Sequence, residues 1–557
     1  MLRTPKTALR DLIDLICSPR PRFSGQLCAV FFCAWYVALA GFSSAQVNSY
    51  PSPPNTGFTL DGTVVNSVTG EPIARALVRV YGVAQRSAFT DSEGHFQIDS
   101  LPAGSVDIGL QKPGYSNQQG TNRTIVGVDS RAVVLKLSPL GTIYGHVLDT
   151  TGQPIENVPI RLIGRSISEG RTRWNLAGSA ESDEDGRFRF SGLTPGSYYL
   201  AAGPEIHPET RLLARAEKLK IGYSNLYYPN APDLSSASPI QLVAGQQVEA
   251  DFSMPAVPVY KVSGSVTNRV PGRGVVLQVL SQSGDPISIA TGAQMDGTFE
   301  IKAIPAGTYI LKAFSHVENQ TLRAEIHLGV PANLDNVNLV LAPTPLIPIT
   351  VRMESRGASN LSSPRWSQQT PPLSLRLIPA AMLATEAGST FVQQGSGQQI
   401  MALQNVEPGR YTADVMPWGA WYVQSAQYGP TNLLSDDVMI ASGQIYPIEI
   451  VLRDDGATLT GSLKYNGVDD TPMTLIVVPQ PTGKRGVKVL HTSQQGFAMN
   501  GLAPGDYLVF AFDHADKIEY TNPDALQPYT SQATPVTLSP NQETHAMLTL
   551  IHAREGE

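Results

Sequence analysis

The sequence predicts an all-β protein built as a tandem array of about five small two-sheet sandwiches behind an N-terminal signal peptide. Three observations carry that expectation. A Leu-x-Pro-Gly-x-Tyr signature, or a close relative of it, recurs with its glycines at Gly104, Gly196, Gly307, Gly409 and Gly505, separated by 92, 111, 102 and 96 residues. A period near 100 residues is too long for a solenoid unit and matches a self-contained sandwich. Gly (49) and Pro (43) make up about a sixth of the 557 residues and only 16% are charged, a composition suited to short strands joined by many turns. Beyond residue 46, apolar residues alternate with period two, and a sustained helical pattern is missing.

The first 45 residues differ in kind. Arg3, Lys6, Arg10, Arg20 and Arg22 precede an apolar run from Leu27 to Ala40, and Ser43-Ser44-Ala45 follows. This is the layout of a secretory signal cleaved after Ala45, because a 14-residue run is shorter than the ~20 residues a spanning helix needs. Cys17, Cys28 and Cys33 all lie in this leader, so the processed chain would have neither disulfides nor thiol chemistry. Neither Cys28 nor Cys33 has the surroundings of a lipoprotein cysteine. Removing five of 40 basic and two of 47 acidic residues leaves 35 against 45, a net charge of −10. No polybasic stripe is present, which argues against nucleic acid or anionic lipid as a partner. The expected location is secreted, periplasmic or cell-surface, with no stable membrane insertion after cleavage.

Five repeats follow the leader. In the first (57–137), Gly62-Thr-Val64 opens a strand, Thr69-Gly-Glu-Pro-Ile73 turns the chain, and Ala76 to Val80 returns it with alternating apolar residues. Asp91-Ser-Glu-Gly94 makes a tight turn before Phe96 and Ile98, and Leu101-Pro-Ala-Gly104 turns again into Val106 and Ile108. Glycine suits such turns because it takes φ > 0 without a Cβ clash. The second (138–255) repeats the series with Gly145-His-Val147, Thr151-Gly-Gln-Pro-Ile155, Asp183-Glu-Asp-Gly186, Phe188, Phe190 and Leu193-Thr-Pro-Gly196 before Tyr198. The third (256–343) has Gly264-Ser-Val266, Asp296-Gly297, Phe299, Ile301 and Ile304-Pro-Ala-Gly307 before Tyr309. The fourth (344–454) and fifth (455–552) keep mainly Pro408-Gly409-Arg-Tyr411 and Pro504-Gly505-Asp-Tyr507. The array reads as five beads on a string, dividing near residues 138, 256, 344 and 455.

Gly-x-Val, Thr-Gly-x-Pro-Ile, Asp-x-x-Gly-x-Phe and Leu-x-Pro-Gly-x-Tyr together resemble the carboxypeptidase regulatory-like domain. The resemblance implies a seven-stranded transthyretin-like or Ig-like sandwich, grouped with carbohydrate-binding-like folds, and a binding or structural role in place of catalysis. It covers repeats one to three well and repeats four and five mainly through the Pro-Gly-x-Tyr turn. Similar tandem copies behind a signal peptide occur in exported bacterial proteins.

A zinc peptidase would need His-x-x-Glu and a distant second His, because three ligands must leave one zinc position for water. The sole candidate, His552-Ala-Arg-Glu555, has no histidine after it and sits at a polar terminus. His-Glu-x-x-His, Gly-x-Ser-x-Gly and a phosphate-binding loop do not occur. Asp183-Glu-Asp-Gly186 has half the carboxylates of a calcium loop, and a turn explains it better. No metal and no cofactor are expected.

Aromatic residues give the binding candidates. Trp418-Gly-Ala-Trp421-Tyr422 lies just past the strand of Tyr411, and Tyr227-Tyr228-Pro229 occupies the matching late segment of the second repeat. Exposed rings beside polar groups can stack on the C–H faces of sugars, whereas the same segments used as straps would bury them. Tyr198, Tyr309, Tyr411 and Tyr507 are expected to be structural, each capping a turn with its hydroxyl. The sequence therefore supports a secreted non-enzymatic protein whose loops meet glycans, cell-envelope polymer or an envelope protein, with a spacer or adhesion stalk as the alternative. The two differ in whether Trp418, Trp421, Tyr227 and Tyr228 are exposed together.

Overall fold

In a computed structural model, one strand-pairing pattern returns five times along the chain. The structure describes residues 57–553 apart from 83–84, 118–121, 128–130, 204–217, 219, 283–285, 318–319, 345, 356–371, 381–386, 395–398, 442, 465–472, 482–485 and 493–495. The expected leader (1–45) and the end of the His552-to-Glu555 motif lie outside the described residues.

Each repeat opens on a strand held between two partners. Phe58–Asn66, Gly141–Asp149, Ala256–Thr267, Ile347–Glu354 and Ala457–Lys464 pair antiparallel with His95–Leu101, Arg187–Leu193, Thr298–Pro305, Gln399–Leu403 and Gly496–Leu502 respectively. On its other side each opening strand pairs parallel with the closing strand of its own repeat: Val133–Pro139, Gln247–Glu249 with Phe252–Met254, Leu334–Val340, Ile448–Arg453 and Glu543–Ile551. A second sheet faces this one. Its central pairs are Leu77–Tyr81 with Gly104–Gln111, Pro159–Ser168 with Gly196–Ala202, Val276–Ser281 with Gly307–Val317, Leu373–Pro379 with Gly409–Pro417, and Met473–Gln480 with Gly505–Phe512. The strand that follows each Pro-Gly turn is thus always the same strand of the sandwich. In the fourth repeat Ala387–Gln394 pairs with strands of both sheets, which join into one of nine strands.

Period-two alternation places the cores. His95–Leu101 alternates exposed His95 and Gln97 with Phe96 and Ile98, which are 2% and 4% exposed. Five successive apolar clusters fall within residues 60–137, 143–254, 259–341, 347–452 and 457–548. Two smaller clusters cover outer sheet faces, one around Ile163, Tyr199 and Tyr227 and one around Phe510, Phe512 and Tyr529. Helix is confined, among the described residues, to short turns such as Pro523–Leu526. No helix there is long and apolar enough to cross a membrane.

The motif glycines have two distinct reasons. At Gly94, Gly186 and Gly297 φ is +70°, +73° and +92°. Their carbonyls accept the N–H of Val64, Val147 and Val266, each at 2.8 Å, so these turns close onto the opening strand. At Gly62, Gly145, Gly264 and Gly461 a Cβ would collide with a carbonyl oxygen of the closing segment, at Val133, Ala250, Val337 and Ala546. The Pro-Gly glycines correct the expectation that this turn always needs φ > 0. It does at Gly104 (+136°) and Gly505 (+150°), but Gly196, Gly307 and Gly409 have ordinary φ. At Gly307 space decides instead, since a Cβ would come within 3.1 Å of the Tyr309 hydroxyl.

The description as beads on a string also needs correction. The hairpin Pro159–Ser168/Arg171–Glu181 is far longer than its counterpart Leu77–Tyr81/Arg86–Phe89, so its tip overhangs its own sandwich. That tip reaches the fourth and fifth repeats. Thr521 donates from both N and Oγ1 to the Gly170 carbonyl (3.2 and 2.6 Å), and Arg376 donates to Glu169 at 2.8 Å.

Candidate functional site

The aromatic residues singled out from sequence do not form one platform. Trp418 begins the loop after strand Gly409–Pro417, its N–H bonded to the Pro372 carbonyl at 3.0 Å, and its side chain is 53% exposed. Gly419, at φ +75°, turns the chain so that Trp421 is half-buried against the fourth core. Tyr422 is 6% exposed and donates to Asp455 Oδ1 at 3.0 Å, with the Arg453 guanidinium 5.9 Å from its ring centre. The loop backbone is seated on the fifth repeat. A Cβ at Gly501 (φ +67°) would lie 3.0 Å from the carbonyl oxygens of Gly419 and Trp421.

In the second repeat, successive side chains of a strand point to opposite faces. Tyr227, 1% exposed, enters the outer cluster with Ile163 and Tyr199, while Tyr228 is partly buried edge-on against Phe252 at 6.2 Å and 81°. The backbone N–H and C=O of Tyr227 exchange hydrogen bonds with Ala231 at 2.7 Å each, closing the strap. Tyr227 and Tyr422 therefore cannot offer a face to a sugar, and the joint exposure that would mark a shared platform is not found. The physical reason is the strap: a large ring at the open end of a sandwich gains more from covering the core than from facing water. Of the five candidates Trp418 is the most exposed, with Trp421 and Tyr228 partly buried.

The four repeat tyrosines are hydroxyl caps. Tyr198, Tyr309, Tyr411 and Tyr507 each donate to the carbonyl four residues upstream, at Thr194, Pro305, Glu407 and Ala503, over 2.7, 2.8, 2.8 and 2.6 Å. Burial pushes Tyr309 and Tyr507 up to about 12, and pushes Tyr411 upward as well. The acidic turns are also satisfied internally. Asp91 Oδ1 accepts the N–H of Glu93 and His95, and Asp183 Oδ1 accepts the N–H of Asp185 and Arg187, each an Asx turn that fixes the bend. His552 pairs with Asp513 at 2.7 Å.

Sequence reading did not foresee the charged junction at the tip of the long hairpin. Glu169, Arg376 and Asp414 form a continuous ion-pair run, with Arg376 Nη2 2.8 Å from Glu169 and 3.0 Å from Asp414. These contacts, with the desolvation that opposes them, hold the Arg376 guanidinium above its ordinary range, the Glu169 hydrogen bond contributing most. Lys488 of the fifth repeat is pushed down by burial and partly restored by Asp414. Thr172 donates its N–H to Glu519 at 3.3 Å, and Arg165 lies 3.8 Å from the same carboxylate. The sequence signal was the length of the 159–181 segment between its two turns. A second junction joins the third and fourth repeats, where Glu407 meets both Lys312 (2.7 Å) and Arg323. One set of donors among the described residues lies close enough to share a cation: His146, Glu249 and Asp251.

The family described as carboxypeptidase regulatory-like domain matches residues 59–138 and 142–255. Similar solved structures include the Bacillus anthracis TIE protein, at 12% identity over 52% of this chain and 51% of that one, with a TM-score of 0.18. A minor pilin of Streptococcus agalactiae is 17% identical over 39% of this chain and 100% of its own, with a TM-score of 0.22. The major pilin subunit of Bacillus cereus is 9% identical over 51% of this chain and 100% of its own, with a TM-score of 0.15. This chain spans about half the length of the TIE protein chain it matches. No curated protein matches it. Two successive repeats, residues 59–138 and 142–255, thus match the carboxypeptidase regulatory-like domain, each with its opening and closing strands paired in parallel.

Proposed function

We propose that this chain is a non-enzymatic structural protein of the extracytoplasmic space, a cross-braced set of β-sandwiches acting as a rigid platform. The observation that carries the reading is the brace itself: the hairpin tip at Glu169 and Gly170 is bonded to Arg376 and Thr521, 207 and 351 residues away. A stalk whose reach grows with each added sandwich has no use for contacts that tie its second repeat to its fifth. A platform does, because contacts between non-neighbouring repeats suppress hinge motion at the linkers. Export is supported by the basic and apolar leader of residues 1–45. Small-angle scattering on residues 46–557 tests the platform directly. The wild type should scatter as one body with little interdomain freedom, and the double variant Glu169→Ala/Thr521→Ala should expand. An expanded, flexible wild type overturns the reading. Fractionation of cells making the tagged full chain tests the address, and an uncleaved cytoplasmic product counts against it.

Carbohydrate or envelope-polymer contact is the second reading, favoured by the exposed Trp418 ring. It now rests on one ring. Trp418→Ala should abolish retention on a polysaccharide column while leaving the fold intact, and unchanged retention removes the site.

A further inference from the structure

We propose that His146, Glu249 and Asp251 form a surface site for one divalent ion of the zinc class. The three side chains offer an imidazole nitrogen and two carboxylate oxygens, all within 4.8 Å of one another. His146 lies on the opening strand of the second repeat, next to Gly145. Glu249 ends the first half of the parallel closing strand, directly opposite Tyr144, and Asp251 occupies the break before Phe252–Met254.

The backbone holds this arrangement. The Ala250 N–H donates to the Tyr144 carbonyl at 2.8 Å, and Asp251 Oδ1 accepts the His146 N–H at 2.7 Å, so the carboxylate bridges the gap in the ladder. Gly145 permits the close approach, since a Cβ there would collide with the Ala250 carbonyl. The same Asp251 oxygen lies 3.2 Å from His146 Nδ1. One of the three donors, the Asp251 carboxylate, is thus held by a strand N–H, which lowers the ordering cost an ion would meet.

The fold itself does not require these residues. The position after the opening-strand glycine is Thr63, Ser265 and Ser462 in the first, third and fifth repeats, and the first repeat's closing strand Val133–Pro139 runs without a break. Charge is consistent with a cation as well. Two carboxylates stand together, and among the described residues no cationic side chain pairs with Glu249. Arg187, directly across from His146, is turned to Asp185 at 2.9 Å. Imidazole with carboxylate suits zinc-like ions over calcium or magnesium, and three protein donors leave further positions to water.

Isothermal titration of Zn²⁺ into the full chain tests the site, with His146→Gln and Glu249→Gln alongside the wild type and Ca²⁺ as the competing class. We expect one Zn²⁺ per chain, weakened at least about tenfold by either substitution. Because the Glu249 side chain makes no hydrogen bond or ion pair among the described residues and Gln keeps its backbone pairing, loss in Glu249→Gln is not ascribed to unfolding. No Zn²⁺ uptake by the wild type, equal uptake by both variants, weakening by only one of them, or tighter binding of Ca²⁺ than of Zn²⁺ would each overturn the proposal.

Discussion

Arg376 Nη2 donates to Glu169 Oε2 at 2.8 Å, joining residues 207 positions apart at the tip of the longest hairpin of the second repeat. Glu169 has φ +51° and Gly170 has φ +66°, so the tip is a tight turn whose left-handed backbone presents the Gly170 carbonyl to Thr521. Tyr520 closes over Gly170, leaving no room for a side chain there.

Gly170→Ala should therefore release the brace without unfolding any sandwich. The substitution adds a Cβ against the Tyr520 ring and costs about 1 kcal/mol for the positive φ. Scattering should show expansion of the processed chain, while far-UV β signal stays unchanged. An unexpanded variant would mean the tip tolerates displacement.

Limited proteolysis should cut near residues 138, 256, 344 and 455, where Pro-containing junctions such as Pro255-Ala-Val-Pro258 and Pro343-Thr-Pro345 separate successive cores. Cleavage should be faster in Gly170→Ala than in the wild type, since the brace ties the second repeat to the fourth and fifth and so restrains the junctions between them. Resistance of the whole chain as a single fragment would contradict the division into independently folding units.

Phe299 is 3% exposed in the third core, beside Ile301 and paired directly with Gly264 of the opening strand. Phe299→Ala should destabilise that repeat by roughly 3 to 5 kcal/mol through lost burial and a residual cavity. Native-state hydrogen exchange should report the loss in residues 256–343 and leave the second repeat's core protection unchanged.

Tyr309 and Tyr507 make an alkaline prediction. Burial raises each to about 12 in the folded chain, whereas an unfolded tyrosine titrates near ~10. The stabilisation is complete below pH ~10 and is lost as pH rises toward about 12, because the unfolded chain gives up protons the folded chain keeps. Each residue should account for roughly 2 to 3 kcal/mol across that window. Tyr309→Phe should lose about 1 kcal/mol at neutral pH with the hydrogen bond to Pro305, and show a shallower alkaline slope in urea melts.

The two tryptophans of the 418–421 loop should separate by stability. Trp418→Ala removes an exposed ring and should change stability by less than about 0.5 kcal/mol. Trp421→Ala strips cover from the fourth core and should cost about 1 to 3 kcal/mol. Equal costs would show that both rings belong to the core.

What the sequence determined by itself was whatever depends on residues close together in the chain. The alternation of Phe96 and Ile98 with His95 and Gln97, the Asp-to-Gly turns, and a tyrosine four residues past the carbonyl it caps are local relationships, and each is readable at its own spacing. The Gly-x-Val glycines were legible as a pattern, but their cause was not. That cause is a carbonyl such as Val337's, which arrives from the closing strand some 70 residues later. The burial of Tyr227 and Tyr422 was out of reach for a related reason: composition marks a ring as available, and only packing decides whether Tyr227 faces Ile163 or water. The brace and the His146, Glu249 and Asp251 set lie furthest from the reach of sequence. Both join residues about 100 to 350 positions apart, and which groups meet across such distances is decided by where rigid strands carry them, a quantity no local pattern encodes.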